Sequence, residues 1–295
     1  LPARPEGIPD HYWELIQKCW SPDPLDRPSF NQITEILKDD KFALEEFGMK
    51  TDLEALHEYQ NRIDGDEIDF LRSENAKLKE TIKSLEKSKP QNEFTYLGSD
   101  DINHLRIVRE VSSGGFGRVL EVAKESPFAL KQMHISNHAT NVQIMRKFMN
   151  EYELLYKMNH PNIIRSFGFF IGDEKRPPSI LLEFCPHDLS SAITSGTNEQ
   201  VAIWVYQIVE AMVYVHSCQI IHRDLKPSNI LIGQDELIRV ADFGISKLMT
   251  LEEQSSTMGA GTQKFMAPEL LNEEEYNEKV DVYAFGVLLY YIISH

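Results

Sequence analysis

The chain has 295 residues, 42% hydrophobic and 26% charged, with a formal net charge of −16. That composition is ordinary for a globular protein of one large domain or two smaller ones. The charge argues against nucleic acid and anionic membranes as partners, because both would repel it.

The three cysteines, Cys19, Cys185 and Cys218, are far apart and odd in number. They fit neither a disulfide framework nor a zinc spacing, which predicts a reducing, cytoplasmic setting. There is no signal-peptide pattern. The chain opens on Leu1 rather than Met, as a piece of a longer protein or a processed product would.

From Pro9 to about Phe47 the pattern is helical, broken at "SPDPLDRPS". Tyr12, Leu15, Ile16, Cys19 and Trp20 recur at helical spacing and form one broad apolar face. Ser29 is placed to cap a second helix carrying Ile33, Ile36 and Leu37. Between the two helices Arg27 stands between Asp26 and Pro28. Residues 48–97 read as a polar linker with a heptad over about 67–88. Ile68, Asn75 and Ile82 fall at a, and Leu71, Leu78 and Leu85 at d, a pattern that favours a parallel two-stranded coil and hence a homodimer. Glu67 and Glu74 at g would face Arg72 and Lys79 at e of a second chain. A lone amphipathic helix is the alternative, since so short a coil is marginal by itself.

Beyond Phe94, "LRIVREV", "GRVLEVAKE" and "PFALKQM" are short strand patterns separated by turns. "VQIMRKFMNEYELLYKM" is a helix, and the chain is mostly helical after "SILLEF". The longest apolar run, Val282 to Ile293, is too short to span a bilayer and reads as a buried core helix. A small strand-rich part followed by a larger helical part predicts an α+β protein in two lobes.

Several motifs carry chemistry. In "VSSGGFGRV", Gly114, Gly115 and Gly117 let backbone N–H groups approach a phosphate with no Cβ in the way. "FALK" then places Lys131 on a strand. "IIHRDLKPSNILI" and "VADFG" supply Asp224, Lys226, Asn229 and Asp242. A hard cation such as Mg²⁺ takes one or two protein oxygens and completes its shell with phosphate oxygens, a pair that Asn229 and Asp242 can provide. Asp224 can accept a hydroxyl proton, and Lys226 can neutralise a phosphoryl group in transfer.

In this order, and together with "APE" (Ala267 to Glu269), these motifs resemble the eukaryotic-type protein kinases from about Asn103 to the end. The resemblance implies ATP and Mg²⁺ as cofactors and a protein hydroxyl as substrate. It implies that Lys131 holds the α- and β-phosphates with a helix glutamate as partner, Glu151 or its near alternative Glu153. Residues two apart lie on different helix faces, so only one of them can point inward. Asp224 would be the catalytic base, Asn229 and Asp242 the metal ligands, and Lys226 the stabiliser of the transferring phosphate. Val119, Ala129 and Leu231 would wall the adenine slot, the backbone of Glu183 and Cys185 would read its edge, and Leu182 would guard its back. Arg223 implies a loop ordered by phosphorylation, with Ser255, Ser256 and Thr257 as candidate sites or simply as polar loop residues. "HRDLKPSN" and Thr262 in "GTQKFMAPE" resemble serine/threonine kinases, and "AFGVLLY" and "CW" followed by "RPSF" resemble the tyrosine-kinase-like group. One departure stands at Ser112, where the family's first phosphate-loop glycine would be. Weaker nucleotide affinity is the expectation.

After "APE" the family has several more helices, and this chain supplies one, in which Asp281 would anchor the catalytic-loop backbone. The opening stretch "IPDHYWELIQKCWSPDPLDRPSF" resembles the last helices of the same fold, where an arginine pairs with the "APE" glutamate, here Arg27 and Glu269. Residues 1–47 would then be terminal helices of a kinase C-lobe and 98–295 a truncated kinase domain. Either the chain is a slice through a tandem array, or residues 9–47 dock back on its own lobe. A non-catalytic kinase-fold scaffold that dimerises through the heptad is the alternative function.

Overall fold

The computed structural model describes residues 4, 8–38, 97–98, 102, 105–114, 117–123, 127–133, 141–173, 175–194, 196–244, 247–248 and 263–294. The heptad, Gly115, Ser255, Ser256, Thr257 and Thr262 lie outside these residues. Helices and strands are numbered below among the described residues.

The smaller lobe is a five-stranded antiparallel sheet in the order β1-β2-β3-β5-β4. Its strands are β1 (Arg106–Gly114), β2 (Gly117–Ala123), β3 (Pro127–Met133), β4 (Ser166–Phe170) and β5 (Ser179–Glu183). Gly114 pairs with Gly117 at the tip of the β1–β2 hairpin, and the register shifts between Glu110 and Ser112. One sheet face buries Leu120, Val122, Leu130, Phe170 and Leu181. The other packs on α3 (Asn141–Lys157), with Tyr152 and Phe148 against Phe169 at ring-centroid distances of 5.4 and 6.0 Å.

The larger lobe contains β6 (His187–Asp188), α4 (Leu189–Ala192), α5 (Asn198–Ser217), β7 (Ile220–Ile221), β8 (Ile230–Ile232), β9 (Ile238–Val240), β10 (Lys247–Leu248), α6 (Pro268–Leu271) and α7 (Lys279–Ile293). Strands β6, β8 and β9 form a small three-stranded sheet in that order. Helix α7 is apolar on all sides, as the run Val282–Ile293 predicts, and Phe285, Leu288 and Leu289 are fully buried. No described helix is long and apolar enough to cross a membrane.

The opening residues form α1 (Asp10–Cys19), a 3-10 turn (Pro24–Asp26) and α2 (Phe30–Leu37). Ser29 and Gln32 make a reciprocal capping box that starts α2. Both helices lie on the larger lobe, α1 against α7 and α2 against α5. All five residues of the apolar face of α1 and its C-cap, Tyr12, Leu15, Ile16, Cys19 and Trp20, are buried. Gly286 permits the approach, for a Cβ there would meet Cys19 Cβ at 2.6 Å and the Trp20 indole at 2.9 Å. Residues 8–38 thus dock on this chain's own larger lobe.

Candidate active site

Arg27 and Glu269 lie 242 positions apart and form a two-pronged ion pair, Nη1 to Oε1 at 2.5 Å and Nη2 to Oε2 at 3.0 Å. Arg27 is 1% and Glu269 5% exposed. Two of the three remaining Arg27 N–H donors are also used. Nε donates to the Ser21 carbonyl at 2.9 Å and Nη1 to the Lys279 carbonyl at 3.2 Å, while Lys279 Nζ donates to the Arg27 carbonyl. The guanidinium lies 5.1 Å from the Tyr283 ring centre. A buried charge so fully paired is tolerated, whereas either half alone would not be.

In the cleft, β3 carries Lys131 opposite Val119 on β2 and Ile180 on β5. Its Nζ meets Glu151 Oε1 at 2.5 Å and Asp242 Oδ1 at 2.9 Å. The helix face thus presents Glu151, 3% exposed, while Glu153 stays at the half-buried flank. Burial pulls the Lys131 ammonium down, but the carboxylates of Asp242 and Glu151 outweigh it and hold the pKa above the usual lysine range. Burial raises the Glu151 carboxyl, with Lys131 acting against it. Lys131 lowers Asp242 to about 2, so Asp242 stays ionised.

Asp242 has a left-handed backbone, φ +64°, which a non-glycine residue adopts only when its surroundings impose it. Gly244 leaves room beside it, since a Cβ there would sit 3.2 Å from Asp242 Oδ1 and 3.3 Å from Glu151 Oε2. Phe243 is buried and stands edge-on to His222 at 4.7 Å. His222 Nε2 faces the Ala241 carbonyl at 3.1 Å, while its Nδ1 accepts the Asp224 N–H at 3.2 Å. Only the neutral Nε2–H tautomer satisfies both bonds.

Asp224 is 8% exposed. Its Oδ2 accepts from Lys226 Nζ at 2.7 Å and from Asn229 Nδ2 at 2.9 Å. Its Oδ1 is buried and has no hydrogen-bond partner among the described residues. Asn229 also donates Nδ2 to the Asp224 carbonyl at 2.8 Å, which orients the amide and turns its oxygen away from Asp224. The Ala241 N–H donates to the Asn229 carbonyl at 2.9 Å, which links this loop to the residue before Asp242. Asp281 is fully buried and accepts the N–H groups of His222 and Arg223, each at 2.8 Å. Arg223 is also left-handed, φ +67°, and donates Nη1 to Tyr276 Oη at 2.9 Å.

Around the expected adenine slot, Ala129 pairs with Leu182 and both are buried, while Val119 and Leu231 are half-buried. The Glu183 N–H is committed to the Arg165 carbonyl at 2.9 Å, so only its carbonyl could read a ligand edge. Cys185 lies buried two residues beyond β5. Ser112 is exposed on β1, opposite Val119.

Sequence reasoning missed several residues that position this site. Arg239 on β9 donates Nε to both Glu183 oxygens at 3.1 and 3.2 Å and Nη2 to Asp235 at 2.7 Å, which ties the end of β5 to the larger lobe. Asn162 Nδ2 donates to the Ile238 carbonyl at 3.1 Å and holds the segment before β4 against β9. His216 Nε2 meets Asp281 Oδ2 at 2.8 Å. His216 stands in the last turn of a helix that carries several other polar residues, so its role left no signal of its own in the sequence. The positions of Arg239 and Asn162 depend on tertiary neighbours and left none.

Two features therefore stand out here: a lysine between two carboxylates, and a buried carboxylate whose second oxygen has no hydrogen-bond partner among the described residues. Among the described residues no cluster of three or more His, Cys, Asp or Glu could hold a metal by itself. Asn229 and Asp242 are the residues that could hold a hard cation completed by phosphate oxygens.

Comparison with known proteins agrees with this geometry. The family model described as "Protein kinase domain" matches residues 105–295. The chain is 35% identical over 216 residues to an Aurora kinase of Candida glabrata, covering 71% of this chain and 58% of that protein. It is 34% identical over 223 residues to the serine/threonine/tyrosine-protein kinase HT1 of Arabidopsis thaliana, covering 72% and 55%. It is 30% identical over 309 residues to the dual specificity protein kinase pyk3 of Dictyostelium discoideum, covering 99% of this chain and 20% of that one. The chain spans less than two thirds of the length of each of these relatives. With its α+β two-lobed fold and the match over residues 105–295, the chain belongs to the protein kinase family.

Proposed function

We propose that the chain is a Mg·ATP-dependent serine/threonine protein kinase of the tyrosine-kinase-like group, with its larger lobe closed by residues 8–38. The single observation that carries the catalytic reading is the buried Oδ1 of Asp224, which has no hydrogen-bond partner among the described residues. A buried carboxylate oxygen without a donor is costly, and such atoms persist where a ligand supplies the missing hydrogen bond. A substrate hydroxyl would supply that hydrogen bond. Its proton passes to Asp224 as its oxygen bonds the γ-phosphorus of ATP, and the bond from that phosphorus to the bridging oxygen breaks. Lys226, already on Oδ2 of the same carboxylate, would offset the charge of the transferring group.

Lys131, held by Glu151, would take the α- and β-phosphates, and the hairpin of Gly114, Gly115 and Gly117 would cover them. Asn229 and Asp242 would hold Mg²⁺, which when bound neutralises phosphate charge. Val119, Ala129, Leu182 and Leu231 would enclose adenine, and backbone groups of Glu183 and Cys185 would read it. Arg223 would receive a phosphate on Ser255, Ser256 or Thr257.

Serine/threonine preference rests on "HRDLKPSN" and Thr262. The names of two relatives include tyrosine or dual specificity, so the acceptor residue is the point to test. Transfer of labelled phosphate to a generic basic protein, abolished by Asp224→Asn, followed by phosphoamino-acid analysis, decides both questions. Equal labelling by the two chains would sink the catalytic reading, and phosphotyrosine alone would sink the specificity. The heptad supports a second role as a parallel homodimer, which sedimentation of the full chain against Leu78→Asp would reveal. The free cysteines support a reducing, cytoplasmic setting.

A further inference from the structure

Helix α2 does more than cover apolar surface. Phe30, at its first turn, is 1% exposed. Its ring stands edge-on to His216, with centroids 5.1 Å apart at 68°, and to Phe285 at 5.6 Å and 72°. His216 Nε2 meets Asp281 Oδ2 at 2.8 Å. That carboxylate holds the amides of His222 and Arg223, the two residues directly before Asp224. Arg223 has a left-handed backbone, a conformation that persists only while its surroundings impose it.

We propose that Phe30 is a positioning residue for the catalytic loop, acting through His216 and Asp281. The ring fixes one face of the imidazole and keeps water from competing for Asp281 Oδ2. Helix α2 is itself fastened on both sides of Phe30. Thr34 Oγ1 lies 3.2 Å from Glu210 Oε1 on α5, and Arg27 is locked to Glu269. Docking of the chain's opening helices is thereby coupled to the geometry of a loop almost two hundred positions away. The consequence for turnover rests on the kinase reading above, whereas the consequence for loop order does not.

The test compares Phe30→Ala with Ile16→Ala in the full chain. Ile16 is equally buried but lies on α1, which packs on α7. Hydrogen exchange is measured at equal distance below each variant's melting midpoint. The His222 and Arg223 amides should exchange about tenfold faster in Phe30→Ala than in Ile16→Ala. Phe30→Leu, which keeps apolar volume, should fall between. Phosphoryl transfer should lose about tenfold in kcat with KM for ATP within about twofold. In a His216→Ala background, Phe30→Ala should change neither readout further. Equal exchange in the two alanine variants, or effects that multiply in the double variant, would overturn the proposal. If the parent chain transfers no phosphate at all, the kinase reading fails and the exchange comparison still decides the role of Phe30.

Discussion

Removing either half of the Arg27–Glu269 pair strands the other inside the protein. Both residues are buried, and the pair makes two parallel hydrogen bonds at 2.5 and 3.0 Å. Breaking a buried pair by deleting one partner costs about 3–5 kcal/mol, chiefly for the unpaired charge left behind. Arg27→Ala should sit at the upper end, because the bonds to the Ser21 and Lys279 carbonyls and the contact with Tyr283 go as well. Glu269→Ala leaves the guanidinium with only those carbonyls. Once one partner is gone, removing the second deletes the stranded charge. The double variant should therefore lose about 4–6 kcal/mol, well short of the ~6–10 kcal/mol that independent sites would sum to. Urea unfolding of the four chains measures this through the midpoint at unchanged slope. A single variant should melt about 10 °C lower, at roughly 2–4 °C per kcal/mol for a domain of this size. Losses that add to within about 0.5 kcal/mol would refute the contact, and with it the closure of the lobe by residues 8–38.

Other outcomes follow from the same geometry. Gly286→Ala should cost about 1–3 kcal/mol, since its Cβ would meet Cys19 and Trp20 and push α1 away; an unchanged unfolding midpoint would contradict that approach. Asp242 is lowered to about 2 from an ordinary 3.8 by Lys131, so its share of stability is complete above the ordinary value and is lost as pH falls through about 2. Lys131→Met should return the Asp242 titration toward 3.8, read by carboxyl NMR, and remove that acid-range loss. Ser112→Gly should tighten ATP binding by calorimetry, because a glycine lets the strand backbone come closer to phosphate; an identical dissociation constant would refute it.

Much of this architecture is legible in residue order alone. The two-lobed α+β fold, the apolar face of α1, the Ser29 cap and the buried helix after Asp281 each follow from period and capping chemistry. Helical geometry said that only one of Glu151 and Glu153 could face Lys131, yet periodicity alone could not say which face turns inward. Packing made that selection, together with Asp242, which shares Lys131 with Glu151. What stayed illegible is tertiary. Nothing in "RPSF" announces that Phe30 will stand on His216, or in "IRVADFG" that Arg239 will reach Glu183. Gly286 left a trace, a glycine inside a strongly apolar helix, which signals the close approach of another backbone. The left-handed residues Arg223 and Asp242 left none, because their conformation is imposed by Asp281, Lys131 and their neighbours rather than chosen locally.

The most direct measurement is single-turnover transfer of the γ-phosphate of ATP to a protein hydroxyl by the full chain, with and without Mg²⁺, beside Asp224→Asn. The account predicts Mg²⁺-dependent transfer to serine or threonine that falls by about 10²–10⁴-fold in the variant, with binding of nucleotide retained. Transfer at one and the same rate by both chains would contradict it.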